Sequence, residues 1–253
     1  MLSEAQLLEF AERGFIVVPR AIGMDHCQRA TAAIAALLAA EPPTAGYVGQ
    51  HFYWRNWPTA AADDPFARLL MLSGAFAVAR ALVAPGVLDT PELIQIALTL
   101  PPFAHRPGGH HIDGVSPTEA DGRPGTFTLL AGVILSDQTR DDMGNLWVWP
   151  GTHLTHAAYF TRHGPDALLA SKAYTPIALP APEQVHGNVG DLLLAHYMLA
   201  HNIGGNTANQ MRRTVYYRLR RQGHRQRWRE CIQDALLEFD AVRAVLPALP
   251  ALR

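Results

Sequence analysis

The segment Gly108-Gly109-His110-His111-Ile112-Asp113-Gly114 does most to decide the predicted fold and chemistry. On an extended segment, residues two apart point to the same side, so His111 and Asp113 present an imidazole and a carboxylate to one ion. They would supply two of the three ligands of a facial triad of two histidines and one carboxylate, which leaves coordination positions open. Taken alone, an H-x-D tripeptide is better explained as chance, so the prediction depends on the residues around it.

A third metal ligand and a carboxylate-binding arginine are predicted further along the chain. His201 follows a predicted strand and precedes a loop rich in glycine and asparagine, residues 202–206. Arg212 lies eleven residues after His201, on the next predicted strand. A guanidinium there can grip a distal carboxylate through two hydrogen bonds. We therefore predict that His111, Asp113 and His201 hold an Fe(II) ion of the kind that activates oxygen.

The wider pattern places this segment in a β-rich core. Helices come first and last, and short strands broken by Gly and Pro fill the middle of the chain. This order favours a sandwich or barrel over alternating βαβ units, and a jelly-roll or cupin-like barrel braced by helices fits it best. The predicted strands are 15–18, 93–100, 126–135, 145–149, 175–179, 191–196 and 213–219. The predicted helices are 3–13, 25–40, one or two between 66 and 83, 155–171 and 225–245.

No internal repeat or linker divides the chain, so a single domain is predicted over residues 1–253. Its predicted parts are a mostly helical N-terminal region with a lid (1–90), a β core (91–220) and a C-terminal helix (221–253). The aromatic segment 47–57 shows no clear period. We interpret it as an ordered loop that serves as a lid or a pocket wall.

Composition and charge narrow the classes of partner. The chain has a net charge of −1 and a pI near 6.9, so nothing favours nucleic acid or an anionic membrane. Cys27 and Cys231 stand far apart and neither has a C-x-x-C partner, which is typical of a reducing cytoplasm. The polar, acidic start of the chain argues against a signal peptide. We expect a cytoplasmic protein that acts on a small molecule, and its oligomeric state is left open.

Five motifs in the same order resemble the phytanoyl-CoA dioxygenase family, from about Pro91 to Leu219. They are H-x-D at His111, Pro150-Gly151-Thr152-His153, Gly190-Asp191-Leu192-Leu193-Leu194, His201 with its asparagine-containing loop, and Arg212. The N-terminal helix followed by Gly14-Phe15-Ile16-Val17 is also similar to the opening of that family. The resemblance implies a double-stranded β-helix and an oxygenase that uses Fe(II), 2-oxoglutarate as cosubstrate and O2.

The resemblance also assigns residues to the site. It implies that the three predicted metal ligands bind iron and that Arg212, rather than its neighbour Arg213, binds the 5-carboxylate of 2-oxoglutarate. The period of two along a strand agrees that only one of this arginine pair faces the interior. Gln95 would contact the cosubstrate, and Thr99 is a further candidate on the same face.

The resemblance leaves the reaction partly open. It implies hydroxylation of an unactivated C–H bond of a small or medium metabolite, with release of succinate and CO2. Desaturation, epimerisation and ring formation with the same cofactors stay open. Halogenation is disfavoured because halogenating relatives replace the carboxylate that Asp113 retains. A non-oxidative, cupin-like metal-binding protein is the alternative from another class, and Arg212 disfavours it because such a site needs no carboxylate clamp.

Other residues receive less specific roles. His153 is expected to close the Pro-Gly-Thr-His turn and to support the site from behind its ligands. Gly132 stands where several relatives carry a bulky aromatic, which predicts a roomier pocket or a different wall beside the cosubstrate. The predicted substrate contacts are Trp54, Arg55, Trp57, Arg106 and Arg123.

Overall fold

Local sequence signals set the first elements of the fold. The computed structural model describes residues 2–115, 118–172 and 174–246. Ser3 caps the first helix by accepting a hydrogen bond from the Gln6 N–H, and Gly14, at φ 78°, ends it in a left-handed conformation that glycine adopts without strain. The helices are α1 (Glu4–Arg13), α2 (Met24–Ala40), α3 (Pro65–Met71), α4 (Ala75–Val83), α5 (Thr152–His163), α6 (Ala167–Ser171), α7 (His224–Cys231) and α8 (Asp240–Val245).

The described strands form two antiparallel sheets. They are β1 (Phe15–Val18), β2 (Gly49–Asn56), β3 (Leu93–Leu100), β4 (Leu129–Ile134), β5 (Trp147–Val148), β6 (Glu183–Gln184), β7 (Leu192–His196), β8 (His201–Asn202) and β9 (Arg212–Leu219). The large sheet has the order β1-β7-β4-β9-β3-β2, and the small sheet has the order β6-β5-β8. His111 pairs antiparallel with His201 and extends the small sheet beyond β8. The prediction of a mainly β fold with bracing helices is confirmed, although the sheets do not close into a barrel within the described residues.

The large sheet separates a helix-covered core from the face that carries the candidate site. Side chains of β3 alternate between the two faces. Ile94 and Leu98 are fully buried in the core that includes residues of the N-terminal helices and α8. Gln95, Ala97 and Thr99 point to the opposite face. Burying each large aliphatic side chain stabilises the fold by about 1.5–3 kcal/mol, and a slip by one residue would move the apolar set to the wrong face.

The segment 47–57 contains an edge strand, so its interpretation as a loop was wrong. All eight residues of β2 pair with β3. Tyr53 is buried, whereas Phe52 and Trp54 are exposed. Because this edge strand carries large aromatic side chains on its exposed face, apolar and polar residues do not alternate along it. The sequence analysis missed the strand for that reason.

Two predicted elements in the middle of the chain also differ. Residues 175–179 form no strand, and β6 begins later, at Glu183. Pro176 and Pro180 lack the backbone N–H that a ladder requires. The predicted helix over 155–171 is divided into α5 and α6, because Gly164-Pro165 interrupts the helical pattern.

The C-terminal segment contains two helices where one was predicted over 221–253. The carboxylate of Asp234 accepts a hydrogen bond from the Leu236 N–H at 3.0 Å, between α7 and α8. This side-chain bond favours a turn over continuation of the helix. Residues 247–253 of the predicted helix lie outside the described residues.

Among the described residues, no single helix is long and apolar enough to cross a membrane. Helices α3 and α4, bent by 46°, meet that criterion only as a pair and only by length and composition.

His153 lies beneath the N-terminal helix rather than behind the predicted metal ligands. Its side chain is fully buried, and its Nε2 lies 3.2 Å from the carbonyl oxygen of Ala11. A Cβ added to Gly14 would lie 2.5 Å from the Nδ1 of this ring, so the glycine also makes room for it. Burial lowers the pKa of His153 to about 4. The contacts of His153 therefore join α5 to the end of α1, which corrects the expectation that His153 supports the metal ligands.

We expect His153 to make the protein less stable as the pH falls from about 6.5 to about 4. In the unfolded chain its imidazole takes up a proton near pH 6.5, whereas the buried ring resists protonation down to about pH 4. The decrease in the free energy of unfolding between pH 7 and pH 4 should be about 3 kcal/mol smaller for His153→Gln than for the wild type. Urea denaturation at both pH values measures the difference. The control is His163→Gln, an exposed position on the same helix; equal losses in wild type and His153→Gln would contradict the prediction.

Candidate metal centre

The structure brings the three predicted metal ligands together. His111 and His201 face each other across an antiparallel bridge, where each backbone N–H donates to the other residue's carbonyl oxygen at 3.0 Å. Their ring centroids are 4.5 Å apart. With Asp113, they offer one ligand atom each, and these three atoms lie within 4.8 Å of one another. Two imidazole nitrogens and a carboxylate oxygen fit a divalent metal of the first transition row.

Backbone contacts fix the orientation of the His201 imidazole. Its Nδ1 lies 2.9 Å from the carbonyl oxygen of Leu199. Because a carbonyl only accepts, Nδ1 carries the proton and Nε2 keeps its lone pair for a metal. The N–H of Ala200 donates to the hydroxyl of Thr152 at 2.9 Å, so the Pro-Gly-Thr-His turn supports His201 through its threonine rather than through its histidine.

The charges in the site suit a cation. Nη2 of Arg218 donates to Oδ1 of Asp113 at 3.2 Å. Burial alone would raise the pKa of Asp113, but Arg218, then His201 and His111, bring it below its ordinary value. Burial, followed by the nearby His201, lowers the pKa of His111 to about 4. Near pH 7 the site therefore presents an ionised carboxylate and a neutral His111 imidazole, which are the forms that bind metals.

Arg212 is a buried cation on β9, only 3% exposed. Its Nη2 donates to the hydroxyl of Tyr216 at 2.6 Å, and its Nε lies 3.5 Å from Oε1 of Gln138. Among residues 2–115, 118–172 and 174–246, no carboxylate oxygen lies within the 4.0 Å of an ion pair with this guanidinium. Arg213 is the register partner of Leu98 on the helix-covered face. A buried charge without a counter-charge is costly, so Arg212 is suited to receive an anion.

Arg212 opens onto the same cavity as the three candidate metal ligands. Gln95, for which a cosubstrate contact stays a prediction, is one of the residues that line this cavity. Thr99 is the direct register partner of Arg212, and its buried hydroxyl has no hydrogen-bond partner within the described part of the chain. A Cβ on Gly144 would lie 2.6 Å from Cβ of Arg212 and 3.2 Å from Cβ of Thr99. The lining residues are Gln50, Phe52, Gln95, Ala97, His111, Asp113, Leu130, Gly144, Leu146, His201, Asn202, Ile203, Arg212 and Tyr216.

Gly132 does not make the cavity roomier, which corrects one of the two expectations for it. Its register partner is Tyr216 on β9. A Cβ on Gly132 would lie 2.6 Å from Cε1 and 2.8 Å from Cδ1 of Tyr216. The tyrosine ring therefore occupies the space that the glycine leaves. The sequence reasoning missed Tyr216, although its position four residues after Arg212 on the same strand face could have indicated it.

The aromatic strand β2 contributes to the rim of the cavity. Phe52, which the sequence reasoning missed, lines the cavity. Trp54 is exposed, and its ring lies 5.5 Å from Cζ of Arg218. Arg55 instead approaches a carboxylate oxygen of Asp64 at 3.5 Å. Trp57 packs against the helix-side core, so only Trp54 of the three predicted contacts in this segment lies near the site.

The other two predicted substrate contacts lie elsewhere. Arg106 lines a separate pocket with His105 and Asp142. Arg123 binds the carboxylate of Asp121 at 2.6 Å and donates to a backbone carbonyl of α7. Neither arginine is among the residues that line the cavity of the candidate metal centre.

A second group of potential metal ligands is better explained as a hydrogen-bonded cluster. His224, Cys231 and Glu238 are buried and lie close together. Nδ1 of His224 is 2.7 Å from Oε2 of Glu238, and Thr128 donates to the same carboxylate oxygen at 2.7 Å. Nε2 of His224 lies 3.0 Å from the hydroxyl of Thr126. Both imidazole nitrogens are thus already hydrogen-bonded, and burial raises the pKa of the Cys231 thiol, which opposes metal binding.

The fold is shared with several solved proteins, and two of them hold a metal and 2-oxoglutarate. HygX from Streptomyces hygroscopicus, with nickel and 2-oxoglutarate bound, has a TM-score of 0.59 and 19% identity over 88% of this chain and 88% of its own. The epimerase SnoN, in complex with Fe3+, alpha ketoglutarate (2-oxoglutarate) and nogalamycin RO, has a TM-score of 0.60 and 20% identity over 86% of this chain and 82% of its own. The alpha ketoglutarate-dependent carbocyclase SnoK from nogalamycin biosynthesis has a TM-score of 0.56 and 18% identity over 86% and 83%.

At these identities the likeness establishes the fold. No protein-family model matches the chain, and no curated protein matches its sequence. Membership of the phytanoyl-CoA dioxygenase family therefore stays a prediction.

Proposed function

We propose that the protein is a non-haem, Fe(II)- and 2-oxoglutarate-dependent dioxygenase with a double-stranded β-helix fold. It would oxidise an unactivated C–H bond of a small or medium metabolite, and hydroxylation is the reaction that we propose. The observation that carries this proposal is a single cavity that holds both the cluster of His111, Asp113 and His201 and the buried guanidinium of Arg212. A metal-binding site alone would need no such arginine.

The residues present fit an iron ion. Two imidazoles and one carboxylate would supply three ligands to the ion, and a site with three protein ligands can also take a cosubstrate and O2. Asn202 donates through Nδ2 to the carbonyl oxygen of Gly109 at 2.6 Å. This bond ties the loop after His201 to the segment that carries His111, so the two histidines are held in place before any metal arrives.

The residues present also fit 2-oxoglutarate. Arg212 would take the distal carboxylate, because a buried guanidinium without a counter-ion gains most from an anion. The unpartnered hydroxyl of Thr99 lies on the register position opposite Arg212 and would donate to the same group. Gln95 lies four residues before Thr99 on the same face of β3, lines the cavity and would contact the cosubstrate from there.

Each part of the chain has a defined task in such a reaction. Bound iron and 2-oxoglutarate would supply the oxidation of the C–H bond by O2, with succinate and CO2 as coproducts. Arg218 holds one oxygen of Asp113, which leaves the other oxygen for the metal. Phe52 and Trp54 form an exposed aromatic rim, with ring centroids 6.4 Å apart, that would place the substrate over the open side of the site.

The outcome of the oxidation depends on the substrate. Desaturation, epimerisation and ring formation use the same cofactors, and the solved proteins of this fold include an epimerase and a carbocyclase. We propose hydroxylation because it needs no further residue beyond those described.

A cytoplasmic location also remains part of the proposal.

Anaerobic addition of Fe(II) and then 2-oxoglutarate tests the proposed function. We expect a weak visible charge-transfer band to develop only when both are present, and succinate to form once air is admitted. The alternative of a non-oxidative, cupin-like metal protein predicts tight binding of zinc, no visible band and no succinate. That second pattern in a folded protein would refute the oxygenase.

A further inference from the structure

We infer that Tyr216 is a further 2-oxoglutarate-binding residue of this chain and that Gly132 is the residue that admits its ring. The inference rests on the proposed function. It assigns the hydroxyl of Tyr216 to the distal carboxylate, alongside Arg212. Gly132 and Tyr216 would then form a matched pair across two neighbouring strands.

The hydroxyl of Tyr216 is placed to serve an anion next to Arg212. Tyr216 is only 6% exposed and lines the cavity of the candidate metal centre. Its oxygen accepts a hydrogen bond from Nη2 of Arg212 at 2.6 Å. The phenolic proton has no acceptor within the described residues. Since the arginine uses the oxygen, that proton is left to donate to a ligand in the cavity.

The neighbouring tyrosine shows how a purely structural hydroxyl looks in this strand. Tyr217 faces the helix-covered core and is fully buried. Its hydroxyl donates to the carbonyl oxygen of Phe66 at 2.7 Å, so its hydrogen-bonding capacity is satisfied within the protein. Tyr216 lacks such an acceptor. The two adjacent tyrosines therefore differ in the one property that a ligand-binding role requires.

Gly132 is required for space rather than for backbone conformation. It lies in the middle of β4, and its backbone does not adopt a positive φ. Any side chain there would collide with Tyr216, because even a Cβ would lie 2.6 Å from the ring. The ring is held on its other side by β3, where Gln95 is the register partner of Tyr216. An added methyl group at Gly132 would thus displace the ring and its hydroxyl from Arg212.

The test compares Tyr216→Phe with Tyr217→Phe, each of which removes one hydroxyl. Anaerobic titration of 2-oxoglutarate into the Fe(II)-loaded protein, followed by the visible band, gives the dissociation constant. We expect Tyr216→Phe to bind 2-oxoglutarate roughly 10-fold more weakly, because it loses a hydrogen bond to a charged group. Tyr217→Phe should stay within about twofold of wild type. Fe(II) binding in the absence of 2-oxoglutarate should be unchanged in both variants.

A double-mutant cycle tests the pairing with Gly132. Gly132→Ala should weaken 2-oxoglutarate binding in the wild-type background but have little further effect in Tyr216→Ala, where the ring is absent. Thermal melting identifies any variant that fails to fold. Wild-type affinity in a folded Tyr216→Phe protein, or equal losses in the two phenylalanine variants, would overturn the inference. A wild-type protein that binds no 2-oxoglutarate would instead refute the proposed function.

Discussion

His111→Gln is expected to weaken Fe(II) binding by at least about 100-fold, whereas His110→Gln is expected to retain it within a few-fold. The two adjacent histidines point to opposite sides of an extended segment. His111 shares its cavity with Asp113 and His201. The ring of His110 instead lies 5.6 Å from that of His156, on the other side of the segment. The same substitution therefore removes a ligand at one position and a packing contact at the other.

Anaerobic competition against a chromogenic chelator measures the iron affinity of both variants. Succinate formation in air should be lost with His111→Gln and retained with His110→Gln. Circular dichroism and thermal melting check that each variant is folded. If both variants lose iron equally, or if folded His111→Gln keeps wild-type affinity, His111 is not a ligand.

The sequence predicted best what depends on neighbours along the chain. The period of two on an extended segment placed His111 and Asp113 on one side, and the same rule separated Arg212 from Arg213. Capping residues gave the bounds of α1, and the apolar run of β3 gave that strand. These features depend on local geometry, so a single sequence contains them.

The side-chain contacts between strands could not be predicted from the sequence. Tyr216 meets Gly132 only because β9 and β4 pair in one particular register. Likewise, Arg218 reaches Asp113 over more than a hundred residues of sequence. Such pairs are set by the register of the sheet, which no local pattern encodes. Gly132 was therefore interpreted as an opening, although its strand neighbour fills it.

The wrong assignment of the segment 47–57 as a loop caused a further error, at Arg55. Arg55 was expected at the substrate because of its aromatic neighbours, but it occupies the opposite face of an edge strand from Phe52 and Trp54. Once the segment is assigned to a strand, the alternation separates these residues at once. The error in the secondary structure thus produced the error in the site.

Arg212→Leu is expected to weaken 2-oxoglutarate binding by roughly 100-fold, because a desolvated charge pair contributes 2 kcal/mol or more. Arg213→Leu, the matched control on the helix-covered face, should stay within about twofold of wild type. Arg212→Lys should fall between them, since an ammonium cannot grip a carboxylate through two parallel bonds. The visible band of the anaerobic Fe(II) protein, titrated with 2-oxoglutarate, measures all three.

The stability of Arg212→Leu should move in the opposite direction from its affinity. In the ligand-free protein Arg212 is buried without a carboxylate among the described residues, so its desolvation is poorly compensated. Leucine removes that cost, and we expect the metal-free protein to melt at the same or a higher temperature than wild type. A concentration of 2-oxoglutarate that saturates the Fe(II)-loaded wild type should then raise its melting temperature clearly more than that of the variant. A variant that melts well below wild type without ligand would show that Arg212 stabilises the fold instead. Its weaker binding of 2-oxoglutarate would then not support a direct contact between Arg212 and the distal carboxylate.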